Sequence, residues 1–255
     1  MTVAALIITK NEEERIADCL ESIKWADEIV LVDSYSNDRT VEIASNYTDK
    51  IYKRKFDNFA NQKNFALSKI DSDWILNIDA DERVTIKLKN EILNKYKNLD
   101  FDAFEIPIKT YFLGKPMKYA GNYPSYRTRF FKSKFKFHNK VHEELRIESK
   151  RLGRLDGDIL HYTCLNLKHY INKYIHYAKL SADQKYEAGA KKGLGYAAVR
   201  FFLDFFQKYI LQRGILMGGP GFIYSAIRAY YSFLKYVFLW ELNNCLLYTS
   251  PSPRD

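Results

Sequence analysis

Cysteine is scarce in this chain of 255 residues: Cys19, Cys164 and Cys245 are all it has. Neither their number nor their spacing makes a disulfide framework or a zinc site, and a reducing compartment suits such a chain. No secretory leader is legible. Met1–Ile8 has no basic start, and its apolar run stops at Lys10, which reads as a buried strand instead. No stretch is long and charge-free enough to read as a transmembrane helix, and neither an internal repeat nor a low-complexity tract is present. Acids nearly vanish from one tract. Between Glu105 and Lys140 there are nine Lys or Arg (Lys109, Lys115, Lys118, Arg127, Arg129, Lys132, Lys134, Lys136, Lys140) and one acid, Glu105. Such a block seeks anionic partners or forms a solvated surface.

What is present is ample for a packed core. Hydrophobic residues make up 47% and charged residues 28%, with a formal net charge of +9, so a disordered chain is excluded. The length allows one catalytic domain with an appendage, or two small domains. Many of the 20 Tyr and 17 Phe crowd the second half, which points to a surface or interface role there.

The first hundred residues alternate strand and helix. Strands are predicted at Val3–Ile8, Glu28–Val32, Ile51–Arg54 and Trp74–Ile78, with helices from Asn11 through Ile23, at Arg39–Tyr47 and at Asn58–Ile70. That rhythm implies parallel strands with crossover helices, hence a mostly parallel, doubly wound α/β sheet. Beyond Asp100 the pattern is mixed: a strand at Ala103–Lys109, a strand or loop at His138–Arg146, and helices at Lys168–Lys192, Tyr196–Arg213 and Phe222–Trp240.

In such sheets ligands bind outside the carboxyl ends of the strands. Here those ends carry Thr9-Lys10-Asn11-Glu12, Asp33 and Asp79-Ala80-Asp81-Glu82. A carboxylate pair directly after a buried strand can hold a hard divalent cation that bridges diphosphate oxygens. The competing reading is an acidic helix cap at Asp81-Glu82. Asp33 can accept from a uracil imide N–H.

Five segments then fall in a recognisable order: Leu-Ile-Ile-Thr-Lys-Asn-Glu-Glu (6–13), Ile-Val-Leu-Val-Asp-Ser-Tyr-Ser-Asn-Asp-Arg-Thr (29–40), Gln-Lys-Asn-Phe-Ala (62–66), Trp-Ile-Leu-Asn-Ile-Asp-Ala-Asp-Glu (74–82) and Val-His-Glu-Glu-Leu (141–145). In these the chain resembles the family 2 glycosyltransferases of GT-A fold, and within them the lipopolysaccharide-core β-glucosyltransferase type. The resemblance implies an inverting transfer from a nucleotide-sugar, a UDP-hexose, to a glycan or lipid-linked acceptor. It implies that Thr9 and Glu12 line the nucleobase pocket with Asn11 beside them, that Asp33 accepts from the base, that Lys63 lies near the donor, that Asp79 faces the ribose and that Asp81 ligates Mg²⁺ or Mn²⁺. The family often has two adjacent acids after the second strand; here Ser34 follows Asp33. An inverting transfer needs a base for the acceptor hydroxyl, and Glu143 of the His-Glu pair is the candidate, with Glu144 as the neighbour that alternation turns away. His142 and His161 can meet metal or diphosphate, and Arg127 and Arg129 can clamp phosphate.

Two other classes compete. A nucleotidyltransferase would show a glycine-rich loop early, and Thr9–Glu14 has no glycine. A non-catalytic module for anionic ligands or membranes leaves acids at three strand ends unexplained; a nucleic-acid partner is not expected. The domain reading is 1–167 catalytic (donor half about 1–100, acceptor half 101–167) and 168–244 helical. The last eleven residues, 245–255, resemble a translated sequencing adaptor and are read as foreign, with the natural protein expected to continue past Asn244. Ser225, Arg228, Ser232 and Lys235 fall at steps of three, four and three, one polar helix face with the rest apolar. Arg200, Asp204, Gln207 and Lys208 do the same in the preceding helix, and Gly218–Gly221 reads as a hinge letting both lie flat. The expectation is peripheral attachment to an anionic membrane surface, on the cytoplasmic face of the inner membrane; the alternative is packing against the domain or a second subunit.

Overall fold

The computed structural model describes residues 1–95, 100–138, 144–145, 147, 151–164 and 166–244. The sequence-predicted base Glu143, its neighbour His142 and the tail 245–255 lie outside the described residues. Contacts divide the chain into two compact units, Met1–Lys109 with Pro124–Tyr162, and Thr110–Tyr123 with Thr163–Asp255. The boundary thus differs from the expected 167/168, and a piece of the basic block belongs to the helical unit.

The first unit begins with β1 (Val3–Thr9), α1 (Ile16–Ile23), β2 (Glu28–Asp33), α2 (Thr40–Ala44), β3 (Ile51–Lys53), α3 (Phe59–Leu67) and β4 (Trp74–Asn77). It continues with β5 (Glu82–Val84), α4 (Ile86–Lys95), β6 (Ala103–Phe112), β7 (Lys115–Pro116) and β8 (Ser125–Lys132). Then come β9 (Phe137–His138), β10 (Glu144–Leu145), β11 (Leu152–Arg154) and β12 (Ile159–Tyr162); β7 and the end of β6 fall in the second unit.

The main sheet runs β3-β2-β1-β4-β8-β6-β12-β5, with β7 and β11 also beside β6. Strands β3, β2, β1 and β4 are parallel; β8 is antiparallel to both β4 and β6. The α/β reading holds, and the parallel, Rossmann-like part lies in the first hundred residues. In the antiparallel half β6 was legible, while its partners were not, because they are short or lie within the basic block.

Pleating explains the continuous apolar runs. Val3, Ala5 and Ile7 enter one core, with Ile29, Leu31, Trp74 and Leu76, and α1 closes it through Ile16, Cys19, Leu20 and Ile23. Ala4, Leu6, Val30, Val32 and Ile75 enter the other, closed by Ala60 and Ala66 of α3. A strand covered on both faces needs no polar alternation.

Three local expectations change. Helix α1 starts at Ile16 rather than Asn11, because Asn11 takes a left-handed φ of 54° and Glu13–Arg15 form a turn. Asp81-Glu82 caps no helix: Glu82 opens β5. The basic block is partly neutralised within the chain. Lys132 and Lys134 lie 2.8 and 3.4 Å from the buried Asp102, and Lys109 lies 3.8 Å from Asp158.

The second unit holds α5 (Leu167–Glu187), α6 (Leu194–Phe206), a π-helical turn (Gln207–Leu211), a 3-10 turn (Gly214–Met217) and α7 (Gly219–Asn244). The expected glycine hinge is a close contact instead. A Cβ on Gly221 would lie 2.1 Å from the Gly214 carbonyl oxygen, so only glycine lets α7 start there. Among the described residues no helix is long and apolar enough to cross a membrane.

Candidate active site

Because β2, β1 and β4 are neighbours, their polar ends share one rim, and Thr9 stands opposite Asp33 in register. The loops after β1 and β2 are stitched together. Asn11 donates its N–H to Ser36 Oγ and accepts from Asn37 N–H; Glu12 N–H donates to Thr40 Oγ1 at 2.7 Å, and Glu13 N–H to Asp38 at 3.1 Å. Asp33 is fully buried and its carboxylate accepts from the backbone N–H and hydroxyl of Ser36. The Thr9 hydroxyl is buried and has no hydrogen-bond partner among the described residues, a cost unless a ligand supplies one.

Helix α3 braces the rim with three consecutive side chains. Gln62 Nε2 donates to Ser34 Oγ at 2.9 Å. Asn64 both donates to and accepts from the Phe137 backbone. Lys63, itself buried, sits 3.6 Å from Asp79 and 5.4 Å from the Phe137 ring centroid.

After β4 the chain turns tightly. Glu82 N–H donates to the Asp79 carbonyl, and Asp79 N–H donates to Glu82 Oε2, both at 2.9 Å. Arg129 Nη2 lies 2.8 Å from both Asp79 Oδ2 and Glu82 Oε1. A β-bulge puts it there: Phe104 pairs with Phe130 and Glu105 with Thr128, leaving Arg129 as the extra residue, and bulges re-aim side chains in this way. Asp81 Oδ2 lies 3.2 Å from His161 Nε2 and 3.6 Å from Arg15 Nη1. Arg15 also pairs with Glu12 and donates to the Tyr162 carbonyl.

Burial would raise the Asp79 carboxyl, but Arg129 and Lys63 outweigh it and hold it below the usual carboxylate range. Burial pushes Glu82 up to about 7, with Asp79 and Asp81 adding and Arg129 opposing. Burial disfavours charge on His161, yet Asp81, Glu82 and Asp79 hold it above the ordinary imidazole value. The Cys19 thiol, which contacts the Asp79 carbonyl at 3.5 Å, is pushed up by burial and by the same acids, so it is no nucleophile.

The donor set fits a hard divalent ion completed by substrate. Among the described residues no three His, Cys, Asp or Glu side chains converge as a metal cluster. Mg²⁺ is commonly held by one or two carboxylates with the other oxygens from water and phosphates. Asp79 and Asp81 flank a single residue, and the Asp79 side chain keeps 37% exposure.

The predicted residues thus fall into three groups. Thr9, Asn11, Glu12, Asp33, Lys63, Asp79, Asp81 and His161 lie at the strand-end rim or are linked to it by the contacts above. Arg129 is at the rim as a counter-ion to Asp79 and Glu82 rather than as an open phosphate clamp, because the bulge turns it inward. Arg127 is exposed on β8, its guanidinium 3.4 Å from the Tyr126 carbonyl. Two members were missed. Arg15 carried a usable signal, its spacing of three from Glu12. Glu82 stood in the motif, but its burial to 1% exposure depends on β12 and Arg129.

Comparison with known proteins gives the family. The profile of Glycosyl transferase family 2 matches residues 4–162, more than half of the chain. An uncharacterised glycosyltransferase of Rickettsia prowazekii is 30% identical over 258 residues, covering 94% of this chain and 87% of that protein. The lipopolysaccharide core biosynthesis glycosyltransferase LpsC of Rhizobium meliloti is 30% identical over 244 residues, covering 92% and 90%. The mannosyltransferase PcManGT of Pyrobaculum calidifontis, solved with GDP-mannose and Mn²⁺, matches with a TM-score of 0.58 at 14% identity over 94% of this chain and 87% of its own, a likeness of GT-A fold. With this fold and a family profile over more than half of its length, the chain belongs to glycosyltransferase family 2 and is a glycosyltransferase.

Proposed function

We propose that the enzyme moves the sugar of a UDP-hexose, with inversion, onto a glycan or lipid-linked acceptor of lipopolysaccharide-core type, at the cytoplasmic face of a membrane. The observation that carries the reading is the shared rim of β2, β1 and β4, where Thr9, Asp33 and the Asp79-Ala80-Asp81 turn are neighbours. The unpaired Thr9 hydroxyl gives the nucleotide a partner. Similarity to LpsC supports a core-type acceptor.

In this reading Thr9, Asn11, Glu12 and Asp33 hold the base side of the donor. Asp79 faces the ribose, and Lys63 and Arg129 fix its carboxylate. Asp81 holds Mg²⁺ or Mn²⁺, with His161 beside it sharing the ion or meeting the diphosphate. When bound, the ion supplies the positive charge that a departing diphosphate needs. Glu143 takes the acceptor proton as the hydroxyl oxygen attacks the anomeric carbon and the bond to the diphosphate breaks. Arg127 and His142 serve the acceptor side.

Release of UDP from a panel of UDP-sugars with Mn²⁺ tests this. Asp81→Ala or EDTA should lower turnover by about 10²–10³-fold, the scale of losing one preorganised electrostatic contact, with the melting temperature kept. Glu143→Gln should lose turnover and keep donor binding. Full activity in EDTA, or no UDP release from any UDP-sugar, would overturn the reading; release of pyrophosphate from a nucleoside triphosphate would favour a nucleotidyltransferase.

A further inference from the structure

Helix α6 is built inside out. Its buried members include Ala197 and the carboxylate of Asp204, which pairs with Arg200. Its outward stripe is Val199, Phe202, Leu203 and Phe206, at steps of three, one and three, and Phe202 is 70% exposed. The stripe runs on through Ile210 and Leu211 of the π-helical turn and Ile215 and Leu216 of the 3-10 turn to Phe222, with Leu211 66% and Leu216 63% exposed.

Helix α7 buries apolar residues, among them Tyr224, Ile227 and Leu239, and takes polar ones in beside them. Ser225 and Ser232, half of the polar stripe read from the sequence, are buried, and Arg228 donates to Tyr174 Oη at 2.8 Å and lies 5.0 Å over that ring. Meanwhile Phe222 and Tyr230 are exposed. An amphipathic helix in water turns its apolar stripe to the core. One that turns it outward, and its charges inward, is suited to an apolar exterior.

The surface is braced. The Ala120 N–H donates to the Gln212 carbonyl at 2.8 Å, Ser225 Oγ donates to the Gly221 carbonyl at 2.7 Å, and the Gly214–Gly221 contact fixes the 3-10 turn on α7. The apolar side chains therefore protrude from a set backbone. Charge selects the occupant. From Ala188 to Trp240 there are seven cations (Lys191, Lys192, Arg200, Lys208, Arg213, Arg228, Lys235) and one acid, Asp204, which is buried and paired. Lys191, Lys192 and Arg213 are exposed. A second copy would bring cations against cations; anionic head groups complement them.

We propose that the helical unit docks on an anionic lipid bilayer through the outward stripe of α6, the two turns after it and Phe222. This deepens the membrane-face part of the proposed function and rests on it. It also reverses the face that the sequence marks, since Ser225 and Ser232 are buried and Arg228 engages Tyr174.

Flotation of the full chain with vesicles, without donor or acceptor, tests the surface apart from the chemistry. The wild type should bind phosphatidylcholine vesicles containing phosphatidylglycerol and bind pure phosphatidylcholine vesicles, or the mixed ones in high salt, at least tenfold more weakly. Phe202→Ser/Phe206→Ser/Leu211→Ser/Leu216→Ser changes only exposed side chains. It should bind the anionic vesicles at least tenfold more weakly while keeping the melting temperature and UDP release of the wild type. Lys191→Glu/Lys192→Glu should lose the preference for anionic vesicles. Wild-type binding by the serine variant, or no vesicle binding by the wild type, would overturn the proposal. So would a wild-type dimer in light scattering that the serine variant converts to monomer without any vesicle binding. Loss of UDP release alone would strike the proposed chemistry and leave the surface standing.

Discussion

In the first unit, odd and even residues of β1 enter two dry cores, and charge gathers at the strand ends. In the second unit, α6 buries Asp204, paired with a part-exposed Arg200, and shows Phe202, Leu203 and Phe206 outside. Both regions are rich in apolar residues, so composition does not separate them. What separates them is the direction in which those residues point. In the first they point into the cores and leave charge at the rim; in the second part of them points outward. A residue type carries no fixed energetic meaning until its surroundings are known.

The comparison breaks most sharply at Trp74. It is 1% exposed and its ring centroid lies 4.8 Å from that of Phe130. Trp74→Ala should cost about 3–5 kcal/mol in urea unfolding, the range for aromatic truncation in a core. A cost under about 1 kcal/mol would mean that this core does not carry the unit. Next comes Arg129→Met, which leaves the buried Glu82 without its cation. Breaking a buried pair from one side costs about 3 kcal/mol, and Asp79 loses its closest counter-charge, so UDP release should fall as well. The double variant Arg129→Met/Glu82→Gln should recover stability and not turnover. If turnover returns too, Arg129 acts only on the fold.

In the second unit the same kinds of change should do less. Asp204→Asn removes one charge of a pair whose Arg200 side chain is 36% exposed. The arginine can reach water, so the loss in unfolding free energy should be about 1 kcal/mol. A loss as large as that of Arg129→Met would place Asp204 in a true core. Phe202→Ser should move stability by no more than about 0.5 kcal/mol, the usual size for a surface substitution; a large loss would mean that the stripe is covered. Smallest of all, deletion of Cys245–Asp255 should leave melting temperature and turnover unchanged, and lost activity would contradict the foreign reading of that segment.

Much of the rim was legible because one-dimensional signals survive there. A buried strand followed by Asp-Ala-Asp places carboxylates at a sheet edge whatever the partners are. The same holds for Asp33, since strand β2 is a continuous apolar run that ends on it. Arg129 was not legible in its role, because its aim comes from a bulge set by pairing with Phe104 and Glu105. Nor were the partners of the basic block. Asp102, which takes Lys132 and Lys134, lies outside the tract in which charges were counted. The helix period of α7 was read correctly, but Ser225 and Ser232 of its expected polar face are buried beside Tyr224, Ile227 and Leu239.

The sequence by itself determined the α/β alternation, the parallel first half of the sheet and the order of polar strand ends, since apolar runs and turn residues act locally and each is written in consecutive positions. Only the tertiary structure decided which cation meets which acid and which face of α6 and α7 is inside. Those outcomes depend on groups distant in the chain, such as Arg129 on Asp79 and Arg228 on Tyr174, and periodicity fixes the spacing of a stripe but not the neighbour it turns toward.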